Sequence, residues 1–308
     1  MTSKLRSDLI LLLAAAIWGF AFVAQRLGME FLGPFTYTAV RFTLGVLVLL
    51  PFIYYRKYTA KTQKRKEDTS LSSSRLRFEK RSEIRKLSFL QLLLGIILFF
   101  GISFQQYGLQ YTTAGNAGFI TGFYVVLVPV AGLFLGHKSH LNIWIGVILA
   151  ITGLYFLSVT REFTINPGDI YVSICALFWT VHVLLVSYIA PRTDPVLTAV
   201  IQFSICAVLS WIVAIGAEQM SLHAIIDSAW PIVYGGVMSV GIAYTLQIVA
   251  QQKAHPAYAS IILSLESVFA VFGGWLILNE NFSIRSVIGC SLMLAGMIVV
   301  QSRENSKR

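Results

Sequence analysis

The sequence predicts an all-α polytopic membrane protein of ten transmembrane helices, built as two inverted five-helix repeats. Three observations predict it. Of 308 residues, 56% are hydrophobic and only 12% are charged, with a mean hydropathy of +0.72; a soluble domain carries about 25% charge. Apolar runs of about 20 residues, the length that crosses a hydrocarbon core of about 30 Å, recur along the whole chain. The second half of the chain also repeats the first at a nearly fixed offset. Alternating strand-like hydropathy is absent, which points to helices and not to a membrane β-barrel.

The runs cover 8–26, 34–54, 89–110, 114–136, 141–159, 168–189, 195–216, 229–251, 256–278 and 283–301. Basic residues fall unevenly between them. If the N-terminus is cytoplasmic, inner segments hold 20 of the 24 Lys and Arg and outer loops hold Arg26, Arg161 and Arg285; Arg41 lies inside a run. This positive-inside bias places both termini on the cytoplasmic side of an inner membrane. The net charge of +10 therefore reads as topology, and no nucleic-acid partner is expected. The segment 55–88 holds twelve bases and four acids with a Ser-rich patch. It reads as a partly disordered, solvated linker or as a contact for anionic lipid headgroups. Cys175, Cys206 and Cys290 lie in three different runs without a CxxC pair, so they read as small packing residues.

The repeat accounts for the first run as part of the mature fold and not a cleaved leader. At an offset of 161, Asp8 falls on Asp169, Trp18 on Trp179, Pro34 on Pro195 and Phe42 on Phe203. After the 55–88 loop the offset drops to about 140–143, where Gly146 meets Gly289 and Gly153 meets Gly296. The chain divides into residues 1–160 and 161–308. Five is an odd number of crossings, so the second copy enters from the opposite side. The halves are then related by a pseudo-two-fold axis in the membrane plane, with a site expected near the midplane between them.

The ninth run carries the sharpest signal. Its 23 residues (256–278) span about 35 Å as helix, and Glu266 sits near their midpoint. A charge there costs roughly 2.5–3.5 kcal/mol on insertion scales, which marks it as a functional candidate. It reads as a proton carrier that switches between neutral and charged forms, as a ligand for a solute's ammonium or hydroxyl, or as a structural carboxylate satisfied by neighbours. Its repeat counterpart is Phe123, so the halves are not chemically equivalent. Arg41 is the other intramembrane charge and corresponds to Gln202. Its fork of donors suits a carboxylate; it could equally pair with Glu266 or snorkel to the outer interface.

Ten helices in two repeats, with AIWGFAFVAQR (16–26) and SLESVFAVFGGWLILNE (264–280), resemble the EamA-type members of the drug/metabolite transporter superfamily. The resemblance covers the chain outside 55–88. It implies an integral-membrane carrier of small organic molecules, often an exporter of metabolites or amino acids. Many such proteins have proline directly after the midplane Glu, where this chain has Ser267; the first half keeps a proline, Pro129. The fourth helix often ends in Gly-Glu, which here is Gly136-His137, while Glu280 matches the acid that ends the ninth.

Among polar residues in the other runs, Gln106, His182, Gln202 and Gln247 are candidate site groups, because amides and imidazoles in a bilayer face protein and not lipid. Gln105 and Gln106 are about 100° apart on a helix and cannot face one site equally. His182 could titrate or bridge helices. Trp18, Trp179 and Tyr124 suit a cavity wall that accepts flat or cationic solutes, or plain packing. Gly118/Gly122 and Gly132/Gly136 read as close-approach pairs along the fourth helix, and Gly146/Gly153 and Gly289/Gly296 as packing faces in the fifth and tenth. Asp8 and Asp169 read as helix-opening carboxylates. No Walker loop, GxSxG, HExxH or intramembrane aspartate pair is present, and no cofactor, metal or enzymatic activity is expected. The expected function is a secondary transporter working by alternating access, as monomer or homodimer, whose partners are a small-molecule substrate and membrane lipids. The alternative is a non-transporting membrane sensor or assembly protein that docks through 55–88.

Overall fold

The computed structural model describes residues 3–64, 74–112, 114–137, 140–158, 167–279 and 283–302. The middle of the basic loop, Lys138 and Glu280 lie outside them. The order is α1 (Ser3–Gly28), α2 (Pro34–Lys64), α3 (Ser74–Gly108), α4 (Ala114–Gly122), α5 (Tyr124–Phe134), α6 (Leu141–Ser158) and α7 (Pro167–Ile189). Then come α8 (Pro195–Ala217), α9 (Leu222–Asp227), α10 (Ala229–Val233), a π-helical segment Tyr234–Tyr244, α11 (Thr245–Gln251), α12 (Pro256–Leu263), α13 (Glu266–Leu278) and α14 (Ile284–Ser302). Among the described residues eight spans are long and apolar enough to cross a membrane, and two shorter apolar helices, Leu141–Phe156 and Ile284–Val300, complete the ten. The described parts of 55–88 are helical, continuing α2 to Lys64 and starting α3 at Ser74. Lys, Arg and Glu are good helix formers and no Gly or Pro interrupts them.

The inversion is visible in which helices touch. α2 packs on α8 and α6 on α14, each with its own repeat counterpart. α3 packs on α7 as the π segment and α11 pack on α1; α5 packs on α7 as α13 packs on α1. Self-paired helices lie across the axis and must run antiparallel. In α6–α14, a Cβ on Gly146 would lie 3.1 Å from the Gly296 carbonyl oxygen, and one on Gly153 would lie 2.6 Å from that of Gly289. The four glycines that recur between repeats thus form one seam, each pair meeting crosswise.

The fourth and ninth spans are each two helices joined at matching places. The α ladder gives way to i→i+3 bonds at Phe123 (to Ile120) and at Leu265 (to Ile262). Both spans end in a left-handed residue, Gly136 (φ 79°) and Asn279 (φ 55°), which match at an offset of 143, one more than the breaks. Gly136 is therefore a C-terminal cap and not the close-approach residue expected of a Gly132/Gly136 pair; a Cβ there would meet nothing within 4 Å. Gly118 and Gly122 do face another helix, with Ser267 against both. The Ser267 hydroxyl donates to the Gly118 carbonyl at 2.8 Å. Ser267 thus ties the ninth span to the fourth. Asp8 is also corrected: α1 starts at Ser3, so Asp8 lies past the first turn, where a cap cannot act. Asp169 is in the first turn of α7 and accepts from Thr112 at 2.7 Å.

One cap crosses between repeats. In the second half Asp194 caps its own helix, α8, accepting from the Leu197 amide at 2.9 Å. The matching residue before α2 is Gly33, which has no side chain. Glu218, at the far end of α8, fills the role: its carboxylate accepts from the Phe35 and Thr36 amides at 2.8 Å each and from the Thr36 hydroxyl at 2.6 Å. Glu218→Ala is expected to destabilise the fold by about 1–3 kcal/mol, read as a lower Tm of purified protein. An unchanged Tm would show that the cap contributes nothing.

Candidate functional site

Between the halves lies a cavity with a water-accessible volume of about 30 Å³. It is lined by Trp18, Phe22 and Gln25 of α1, Arg41 of α2, Gln105 of α3, Tyr124 of α5, Trp179 of α7, Ser239 and Tyr244 of the π segment, Gln247 of α11 and Glu266 of α13. The two intramembrane charges therefore face one space.

Glu266 is 6% exposed and opens α13 at the break in the ninth span. Tyr124, which opens α5 at the matching break, lies beside its carboxylate. Arg41 is 1% exposed, so it does not snorkel. Among the described residues no carboxylate lies within salt-bridge distance of it, Glu266 included. Its guanidinium sits 5.1 Å from the Tyr37 ring centroid and 5.4 Å from that of Phe42. One terminal nitrogen donates to Gln106 Oε1 at 3.4 Å, and Nε has no partner.

Three aromatic rings form the wall. Trp179 stacks on Tyr244 at 5.8 Å and 18°, and Trp18 approaches Tyr244 at 4.6 Å. Trp18 Nε1 donates to the Ser239 carbonyl at 3.3 Å. That carbonyl belongs to the π segment, whose eleven residues far exceed the single turn usual for this conformation. Glycines let α2 press against it: a Cβ on Gly235 would lie 2.8 Å from Tyr37 Oη, and one on Gly236 would lie 2.9 Å from the Arg41 carbonyl.

Of the sequence-predicted site residues, Glu266, Arg41, Trp18, Tyr124, Trp179 and Gln247 line the cavity, and Gln106, His182 and Gln202 do not. Gln106 sits behind Arg41, and its neighbour Gln105 takes the wall, donating to Thr121 at 3.2 Å. This follows from the angle between adjacent helical residues. His182 and Gln202 bond to each other at 3.0 Å behind the ring wall, with His182 5.3 Å from Trp179 and 6.2 Å from Tyr244. Because Gln202 is held there, α8 adds nothing to the lining. Gln25, Ser239 and Tyr244 were not anticipated. Gln25 matches Val186 at the offset of 161, so symmetry did not single it out, although it carried the same signal as the other intramembrane amides.

The EamA-like transporter family matches residues 5–159 and again 166–302. This chain belongs to that family. It is 30% identical over 303 residues to an uncharacterized transporter of Archaeoglobus fulgidus, covering 97% of this chain and 87% of the relative. The uncharacterized transporter YoaV of Bacillus subtilis is 21% identical over 299 residues, covering 92% of each. A WAT1-related chloroplastic protein of Arabidopsis thaliana is 23% identical over 312 residues, covering 94% of this chain and 68% of the relative. A solved crystal structure superposes with a TM-score of 0.73 at 18% identity, over 96% of this chain and 98% of that one, which establishes the shared fold. This EamA-like protein is a membrane transporter of the drug/metabolite type, and its family and relatives point away from an enzyme.

Proposed function

We infer that this EamA-like protein is a secondary transporter of small organic solutes, of the metabolite or amino-acid exporter type. It works by alternating access across the cytoplasmic (inner) membrane, with both termini cytoplasmic, and is coupled to protons through Glu266. The observation that carries the reading is a cavity between the repeats, lined by both buried charges and a ring wall. One chain completes that cavity, so a monomer suffices. Its 30 Å³ has room for a few waters, whereas solute sites run to about 300–1,000 Å³. A solute therefore enters only when residues 1–160 and 161–308 move apart, and the inverted pairing of helices supports a rocking motion in which each face opens in turn.

The test uses purified protein in liposomes with amino acids and cationic dyes, with and without a pH gradient. The wild type is expected to drive at least one solute with the gradient. Glu266→Gln, which keeps shape and hydrogen bonding but not the charge, is expected to lose gradient-driven accumulation. If Glu266→Gln accumulates solute as well as wild type, the carboxylate is structural and the coupling role fails.

A further inference from the structure

We propose that Arg41 is a receptor for the carboxylate of the transported solute, and that this protein selects small organic acids or zwitterions with a flat apolar body over amines. The proposal rests on the transport reading above and deepens it. It starts from an imbalance in the site. A guanidinium carries five N–H donors. Arg41 uses one of them on Gln106, its Nε has no partner, and no carboxylate among the described residues neutralises it. A buried cation without a counter-charge is strongly unfavourable, yet the fold packs two rings and a glycine face around this one. The Tyr37 hydroxyl also lies against the guanidinium, and the unpartnered Nε leaves an edge of the fork for a carboxylate.

A second, independent observation points the same way. Gln247 is 0% exposed, lines the cavity, and has no partner at either amide atom. Trp179 Nε1, also on the wall, has none. Each such group carries a desolvation penalty until something in the cavity bonds it. The lining thus offers unmet donors on Arg41, Gln247 and Trp179 beside unmet acceptors on Gln25 and Gln247 and the Glu266 carboxylate. The donors suit a solute carboxylate, and the un-neutralised guanidinium disfavours a solute whose only charge is an amine. The stacked Trp179–Tyr244 pair and Trp18 supply a flat face for its apolar part. Glu266 lies on the same cavity but beyond salt-bridge distance of Arg41. It is thus free to take a proton, or to take the ammonium of a zwitterion whose carboxylate is on Arg41.

The test is direct binding, by quenching of tryptophan fluorescence in full-length protein in nanodiscs. Three probes share one ring: 3-phenylpropionate carries the acid alone, phenylalanine carries acid and amine, and phenethylamine carries the amine alone. One or both carboxylates are expected to bind wild type and phenethylamine not to. Arg41→Gln is expected to weaken the carboxylates by about 30-fold or more, and Arg41→Lys to restore part of that. Binding of phenylalanine alone, still sensitive to Arg41, assigns the ammonium to Glu266; binding of 3-phenylpropionate assigns a proton there. Preference for phenethylamine, carboxylate binding that ignores Arg41→Gln, or binding of none of the three overturns the proposal. Arg41-dependent binding with no flux in liposomes would leave the site standing and sink the transport reading. Flux that ignores Arg41→Gln would do the reverse.

Discussion

Gly153→Leu is expected to leave little folded protein in the membrane. A Cβ alone at this position would lie 2.6 Å from the Gly289 carbonyl oxygen, 2.6 Å from Met293 Cγ and 3.0 Å from the Met293 amide nitrogen. Two of those three are backbone atoms and cannot turn aside, so α6 and α14 would have to part along the seam where the two repeats meet. In a bilayer no hydrophobic drive between helices compensates, because lipid is as apolar as leucine; close backbone packing is what holds such a pair. Alanine at 153 is expected to destabilise by about 1–3 kcal/mol, and leucine by more. The comparison is Gly216→Leu, where a Cβ meets nothing within 4 Å and the Tm should be unchanged. Equal effects at both positions would refute the seam.

The second large expectation runs toward stability. Arg41→Met combined with Gln106→Leu is expected to raise the Tm while abolishing carboxylate binding. Among the described residues the buried Arg41 charge has no carboxylate within salt-bridge distance, and exchanging buried ions for apolar groups of similar volume stabilises by about 1–4 kcal/mol. Removing both partners matters. Arg41→Met alone leaves Gln106 Oε1 without its donor, which offsets about 1–3 kcal/mol of the gain. A site residue that the fold would be more stable without is kept for what it binds. A lower Tm in the double variant would make Arg41 a structural keystone instead.

The hydropathy runs and the repeat offset carried the architecture, because a bilayer forces backbone hydrogen bonds inside each span and two matched halves of five helices can only be inverted. The same reasoning singled out Glu266, near a span's midpoint, and Arg41, inside a run, since charge within an apolar run is legible from position alone. What stayed hidden depended on direction and partners. Run length showed an eighth span but not that Tyr234–Tyr244 is π-helical, and with that went the placing of Tyr244 on the wall. Gly33 gave no hint that Glu218, 185 positions away, would cap the helix after it. Spacing alone read Gly132/Gly136 as a packing pair, because a GxxxG and a helix stop look the same until the span's end is known. Of Gln105 and Gln106, only the rotation of α3 decides which faces the cavity and which holds Arg41.

The depth of Glu266 has an electrical consequence. It lies near the middle of the span Pro256–Leu278, so a proton reaching it from either side crosses roughly half of the transmembrane voltage. One elementary charge moved through 100 mV is worth about 2.3 kcal/mol, so half the field shifts the occupancy of Glu266 by about 1.2 kcal/mol per 100 mV. That is about a sevenfold change in its protonation ratio at constant pH. Under the proposed coupling, protonation at this depth is electrogenic, and membrane potential biases the charge state of Glu266 even when the two aqueous compartments have the same pH.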